Sequence, residues 1–232
     1  MLHDVRFPNE SDQYRAARDR LLAEEIALLR KTEAVAELRR ELPLGGEVAT
    51  DYEFAGADGA VTLSELFADG KDALFLYSFM YYRGDEPRFG VKEGPLKTPC
   101  PACTSIIDAV DGNADHVAQR INIAVETKAP LELFRGHAQN RGWSHIRLLS
   151  SADSSYRADY GAESEDGDQW PIATVFVKRG GRIHHYWSSE LFMVGADQGQ
   201  GTRHVDFMWP MWSIFDTTPE GRGDFLPSLS YS

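Results

Sequence analysis

Cys100 and Cys103 are the only two cysteines in this 232-residue chain, and they share one tetrapeptide, Cys100-Pro101-Ala102-Cys103. At this spacing two thiols can close a small disulfide ring and open it again within one site. Residues 73–80, before the pair, are apolar apart from Ser78 and read as a buried strand. Residues 104–110, after it, carry Ile106, Ile107 and Val110 at helical spacing. A thiol leading into a helix N-terminus meets the positive end of the helix dipole and unpaired backbone N–H groups, and both favour thiolate. Cys100 is therefore the expected nucleophile, with a lowered pKa and an exposed sulfur. Cys103, one helical turn on, is the expected resolving thiol. Pro101 restricts the backbone between them and removes one N–H donor.

Other side chains could in principle carry chemistry. A zinc site usually closes with four ligands, and the sequence has neither a second C-x-x-C nor a histidine pair at i, i+4 spacing. His184 and His185 are adjacent on an expected strand, so they face opposite sides of it. His137 and His145 read as surface positions on a helix and a strand. The acidic run at residues 163–168 lacks the ligand spacing and terminal glutamate of a calcium loop and reads as a solvated turn. Arg222-Gly223-Asp224 reads as a turn as well. The density of aromatic residues in 207–215 points to core packing, or to a lid or dimer surface near the cysteines.

The elements that must position the pair follow from periodicity and punctuation. Tyr14, Leu21, Leu28, Val35, Leu38 and Leu42 recur at helical intervals with no glycine or proline before Pro43. The spacing predicts a long amphipathic helix over 11–42, used for packing within the chain or between two copies. Val48, Thr50, Tyr52 and Phe54 alternate as a strand, and Thr62 with Glu65 matches a capping box for a short helix. Residues 83–95 read as a loop. Strands are expected over 121–125 and around Ile146 and Leu148. Helices are expected after Pro130, ending at Gly142, and over 154–160. Residues 170–177 and 182–187 flank Lys178-Arg179-Gly180-Gly181, a hairpin signal. Alternating strands and helices closed by a hairpin argue an α/β sheet with helices on its faces.

Composition narrows the class of partner. With 24 basic and 36 acidic residues the formal charge is −12, which opposes binding to nucleic acid or an anionic membrane surface. No apolar run approaches the length of a membrane helix, and the N-terminal residues carry no basic segment followed by an apolar one. An isolated C-x-x-C pair in such a chain fits a reducing compartment, so the expectation is a cytoplasmic protein.

The order strand, Cys100-Pro101-Ala102-Cys103, helix, followed downstream by Trp170-Pro171 opening a hairpin, resembles the thioredoxin superfamily, in its peroxiredoxin-like branch. Further segments resemble one bacterial family of that superfamily, described only as predicted dithiol-disulfide oxidoreductases. They are the stretch Ala16-Ala17-Arg18-Asp19-Arg20-Leu21-Leu22, then Arg39-Arg40-Glu41-Leu42-Pro43, and Val125-Glu126-Thr127-Lys128-Ala129-Pro130-Leu131. Gly142-Trp143 and Thr218-Pro219-Glu220-Gly221-Arg222-Gly223 add to them.

The resemblance implies a thioredoxin-like fold with a central mixed sheet, a long N-terminal helix and an aromatic C-terminal extension. The corresponding segments are 1–46, 47–190 and 191–232. It implies a cis-proline at Pro171 and a substrate-guiding role for Pro101, Trp170 and Pro171 beside the sulfurs. The implied activity is thiol–disulfide exchange with a protein or small-molecule partner, without a metal or any cofactor beyond the Cys100–Cys103 disulfide. A non-catalytic binding module and a thiol peroxidase using Cys100 are the alternatives. The chain departs from the thioredoxin pattern in three ways: Pro99 stands where thioredoxin has a tryptophan before the first cysteine, proline follows the first cysteine, and residues 73–80 contain no acid to help deprotonate the resolving thiol. Pro95, Thr98 and Cys100 are also more closely spaced than in peroxiredoxins.

Overall fold

In a computed structural model, which describes residues 3–198, 201 and 203–231, the chain divides into two compact units, Met1–Pro43 and Leu44–Ser232. The first contains one helix, α1 (Asp12–Arg40). The Ser11 hydroxyl caps it by accepting the Tyr14 N–H at 3.1 Å. Asp12 in its first turn and Arg39 and Arg40 in its last complement the helix dipole. Leu21, Leu28 and Leu38 of the periodic face are exposed on it.

The second unit is built on a seven-stranded mixed sheet in the order β2-β1-β7-β6-β3-β8-β9. Its strands are β1 (Glu53–Gly56), β2 (Gly59–Thr62), β3 (Ala73–Phe79), β6 (Asn122–Thr127), β7 (Arg147–Ser150), β8 (Ala173–Arg179) and β9 (Arg182–Ser188). β3, β6 and β7 run parallel; β8 lies antiparallel to β3 and closes the hairpin to β9. Parallel strands need crossovers. These are supplied by α2 (Pro101–Asp111) with α3 (Ala114–Ala118), and by α4 (Leu131–Arg141), which ends at Gly142 in the left-handed conformation. The short α5 (Tyr156–Asp159) precedes β8. This is the thioredoxin-like α/β arrangement.

The central strand explains where the core lies. Successive side chains of β3 point to opposite faces. Tyr77 and Phe79 enter a core cluster with Cys100, Cys103, Ile106 and Ile107, while Leu74 and Leu76 enter another with Phe54, Tyr156 and Phe176. Both faces of β3 are buried, which is why it reads as apolar throughout except at Ser78.

Four expectations need correction. Residues 48–52 are not strand: Val48 bonds to Ile183 and the chain bends at Thr50, so the alternating residues are shared between two partners, β9 and the β1–β2 hairpin. The Thr62–Glu65 box forms only in part. Glu65 accepts the Thr62 N–H at 2.8 Å, but Asp51 takes the Ser64 N–H and only a 3-10 turn, Ser64–Leu66, follows. The loop expected before the cysteines is present over 84–95, but it connects a separate and unexpected hairpin, β4 (Tyr81–Arg83) with β5 (Leu96–Pro99), whose strands are too short to show a period of two. No cis peptide bond occurs among the described residues, so Trp170–Pro171 is trans. The Trp170 carbonyl is held by the Ile172 N–H and the Arg157 guanidinium.

The C-terminal aromatics form a 3-10 turn, Asp206–Met208, and α6 (Pro210–Phe215). Val205 and Met208 join the cluster that contains the cysteines, and Trp209 Nε1 donates to Ser105 Oγ of α2 at 3.0 Å. The tail is thus core for the cysteine helix.

Candidate active site

Cys100 is the N-cap residue of α2. Its backbone is extended, Pro101 occupies the first helical position, and the sulfur takes the capping role by accepting the Cys103 N–H at 3.4 Å. Proline at this position is tolerated because the N–H it lacks has no partner within the helix. The expected meeting of Cys100 and Cys103 at one helix entrance is present, and both are free thiols.

The sulfurs are not exposed. Cys100 and Cys103 are each only 1% accessible, which corrects the expectation of an exposed nucleophile. The cause is the β4–β5 hairpin and the aromatic tail, neither of which has a periodic signature. Tyr82 of β4 donates its hydroxyl to Cys100 Sγ at 3.7 Å, and Tyr77 of β3 donates its own to Cys103 Sγ at 3.4 Å. Each sulfur therefore has its own phenol. Tyr77 stands on the strand that lacks an acid and supplies a hydroxyl to the resolving thiol. Sequence reasoning missed both tyrosines, because an aromatic residue in a buried run looks the same whether it packs or donates.

The pair is electrostatically unequal. Hydrogen bonding from the Cys103 thiol brings the Cys100 pKa down to about 7. Burial opposes this, and the Cys103 N–H, the Tyr82 hydroxyl and the Ala102 backbone support it. Burial drives Cys103 well above the ordinary thiol range, and its bond to Cys100 and the charge there add to the rise. Tyr77 and Tyr82 are also pushed up, by burial first and then by the neighbouring sulfurs, so both remain protonated donors. One thiolate at neutral pH, beside one protonated thiol, is the state this arrangement favours.

A second set of residues fixes the helix. Thr104 donates to the Cys100 carbonyl at 2.9 Å and meets His137 Nε2 at 3.0 Å. Since the one hydroxyl proton is on the carbonyl bond, His137 is the donor to Thr104. Burial and then the nearby Arg141 lower the His137 pKa to about 4, so the ring is neutral at pH 7. His137 packs against Phe79 and Trp143, not on the surface as its sequence position implied. At the far end of α2, Asp111 accepts three backbone N–H groups, from Ser144, His145 and Ile146, at 3.2, 2.9 and 2.9 Å.

Trp170 and Pro171 are set farther back. Trp170 stacks on Phe89 at 6.2 Å and packs on Phe192 at 5.2 Å, and Phe89 in turn meets Tyr82 edge-on at 5.2 Å. Trp170 thus reaches Cys100 through two intervening rings. Pro171 is buried at the entry to β8. Behind this entry lies an ion pair between Glu126 and Arg157, 2.7 Å long and fully inaccessible. Arg157 also donates to the carbonyls of Phe79, Ala162 and Trp170, and Glu126 accepts from Ser151. The pair ties the end of β3 to the segment that leads into β8.

Among the described residues no three His, Cys, Asp or Glu side chains come together to hold a metal. In the acidic turn Glu163 pairs with Lys128 at 3.0 Å and Asp168 with Lys92 at 2.7 Å. No helix among the described residues is long and apolar enough to cross a membrane.

A family model described as "Bacterial protein of unknown function (DUF899)" matches residues 5–230. No curated protein matches the chain. Similar solved structures include the peroxidoxin BcpB of Mycobacterium tuberculosis, 19% identical over 73% of this chain and 95% of that one, with a TM-score of 0.45. The reduced 2-Cys peroxiredoxin of Plasmodium vivax is 20% identical over 71% and 95%, with a TM-score of 0.43. A putative thiol:disulfide interchange protein DsbE of Chlorobium tepidum is 15% identical over 64% and 85%, with a TM-score of 0.38.

Proposed function

We propose that this chain, which belongs to the DUF899 family of bacterial proteins, is a thiol–disulfide oxidoreductase that cycles Cys100 and Cys103 between dithiol and disulfide. The observation that carries the reading is the unequal pair at the entrance of α2. Cys100 is poised as a thiolate with a pKa of about 7, and Cys103 is held as a thiol whose own N–H and S–H bond to the Cys100 sulfur.

The Cys100 thiolate attacks one sulfur of an oxidised partner, RS–SR′, forming Cys100–S–S–R and releasing R′S⁻. Cys103 then gives up its proton and attacks the Cys100 sulfur, which closes the Cys100–Cys103 disulfide and releases RS⁻. Two electrons pass from the protein to the partner, and the reverse sequence passes them back. Tyr82 stabilises charge on Cys100, Tyr77 stabilises it on Cys103 as that thiol ionises, and Pro101 holds the backbone between them. No metal or organic cofactor has a step in this chemistry. We assign the protein to the cytoplasm, where reducing conditions return the pair to dithiols.

The test is equilibration of the purified protein in glutathione or dithiothreitol buffers, with trapping of free thiols. A reversible two-electron transition that disappears in both Cys100→Ser and Cys103→Ser is the expected result. Function retained in cells by folded Cys100→Ser would instead make the chain a binding module on a redox scaffold.

A further inference from the structure

A cleft of about 560 Å³, open to solvent, lies beside the start of β7, and neither cysteine lines it. Its volume falls within the range of about 300–1,000 Å³ usual for small-molecule sites. Two groups of elements form it. The β1–β2 hairpin and the 3-10 turn after it supply Asp58 and Glu65, whereas α4 and β7 supply Arg135 and Arg147. Val61, Ile146 and Leu148 add apolar surface. Acids and arginines share this cleft, yet among the described residues no ion pair joins them, and Asp58 and Arg147 have no hydrogen-bond or ion-pair partner at all. Arg135 reaches only the exposed Glu132 of its own helix, at 3.9 Å, and Glu65 accepts the Thr62 N–H. The two signs therefore stand too far apart for direct contact, and a ligand that carries both can bridge them.

The backbone along the cleft points to the kind of ligand. β7 pairs with β6 along its length, but on its other side β1 meets it at one position only, Ala55 with Ser150. Among the described residues, Arg147, Leu148 and Leu149 thus have no strand partner on the side of the hairpin. An uncovered stretch of sheet edge is a template for extended peptide backbone. We propose that this cleft binds a short zwitterionic peptide. Arg147 and Arg135 hold its terminal carboxylate, Asp58 and Glu65 hold its terminal ammonium, and its peptide units lie along the open edge of β7. Arginine suits the first role because its planar fork can give a carboxylate two parallel N–H donors. The site is separate from the cysteine pair and does not depend on the redox reading.

The experiment is calorimetric titration of the full reduced chain with the tripeptide Ala-Val-Ala, with its N-acetyl form and with its C-terminal amide. The tripeptide has about 18 non-hydrogen atoms, and at the efficiency usual for larger ligands its Kd should be about 0.1 mM. Each blocked form, lacking one terminal charge, should bind about tenfold more weakly. Arg147→Gln should weaken the free and N-acetyl peptides about three- to tenfold and leave the amide unchanged, since the amide has no carboxylate to lose. Asp58→Asn should weaken the free peptide and the amide by a similar factor and leave the N-acetyl peptide unchanged.

Both substituted side chains are exposed, so both variants should fold as the wild type does. Cys100→Ser should bind the tripeptide with wild-type affinity, which separates this site from the redox one. Absence of saturable binding up to about 10 mM, roughly 100 times the expected Kd, overturns the proposal. So do blocked peptides that bind as tightly as the free one, because the ligand is then not recognised through both charges. Wild-type binding of all three peptides by Arg147→Gln and Asp58→Asn, or loss of binding in folded Cys100→Ser, places the peptide elsewhere and overturns it as well.

Discussion

Replacing Tyr82 with phenylalanine removes one hydroxyl from Cys100 while keeping the ring that packs on Phe89. A hydrogen bond to a charged group is worth about 1.5–3 kcal/mol, and the 3.7 Å separation places this one at the low end. At about 1.4 kcal/mol per unit, loss of about 1.5 kcal/mol raises the Cys100 pKa by roughly one unit. The starting value is about 7, so the thiolate fraction at neutral pH falls from about one half to about one tenth.

The assay is ultraviolet thiolate absorbance of the reduced protein against pH, followed through the first of the pair's two deprotonations. Cys103→Ala supplies a ranking. The Cys103 thiol is the largest contributor to the lowered Cys100 pKa and Tyr82 a smaller one, so Cys103→Ala should move the first step upward by more than Tyr82→Phe does. A first step that stays put or falls in Tyr82→Phe would falsify the hydroxyl's role, and a reversed ranking would refute the assignment of the main effect to Cys103.

Tyr77→Phe should make the couple more reducing, by roughly 30 mV for each ~1.4 kcal/mol of lost dithiolate stabilisation, and should prolong the mixed disulfide seen after single-turnover mixing. An unchanged potential and lifetime would leave Tyr77 a packing residue. In acid, His137 and His204 hold folded pKa values near 4 against an ordinary 6.5, through burial that disfavours the charged rings. The unfolded chain therefore binds protons first, so this stability is intact above pH 6.5 and is lost as pH falls from 6.5 to 4. The loss is about 2 kcal/mol for the pair after allowing for partial exposure. Thermal melts across that range should show the decline, and His137→Asn should flatten it. Glu126→Gln leaves the Arg157 guanidinium buried without its counter-charge and should cost about 3–5 kcal/mol in denaturant unfolding. A loss below about 1 kcal/mol would mean that the three carbonyls around Arg157 suffice.

How much of this could be read from the sequence depended on whether a residue announces itself through period or punctuation. α2 did so, because Cys100-Pro101 occupies a capping site and Ile106, Ile107 and Val110 repeat along one face. So did α4, opened by Pro130 and closed by Gly142, and the β8–β9 hairpin around Gly180-Gly181. The hairpin over the cysteines did not. Each of its strands is three or four residues long, and the twelve residues between them carry the glycines, prolines and charges of a loop. Burial of Cys100 follows from that hairpin and was therefore equally hidden. Glu126 and Arg157 lie 31 positions apart and meet only because β6 and α5 converge behind the entry to β8. His137 was misplaced for a similar reason, since a histidine in a polar helix gives no sign that Phe79 and Trp143 will enclose it.

The phenol beside Cys103 changes how the resolving step must handle its proton. A buried carboxylate can take the thiol proton and return it. A buried tyrosine whose own pKa is driven upward stays protonated, so it can donate to a developing thiolate but cannot accept the proton that makes it. The proton of Cys103 must then leave by another route. Within hydrogen-bonding distance the first candidate is the Cys100 sulfur, but in the mixed disulfide that atom is no longer basic. The scheme then assigns the proton to the thiolate R′S⁻ expelled in the first step, retained beside Cys103 until that thiol attacks. On this scheme the leaving group carries the proton out. The resolving rate should therefore follow the leaving group's basicity in wild type and in Tyr77→Phe alike, with only its overall level reduced in the variant. A rate independent of leaving-group basicity would require a proton acceptor other than the departing group.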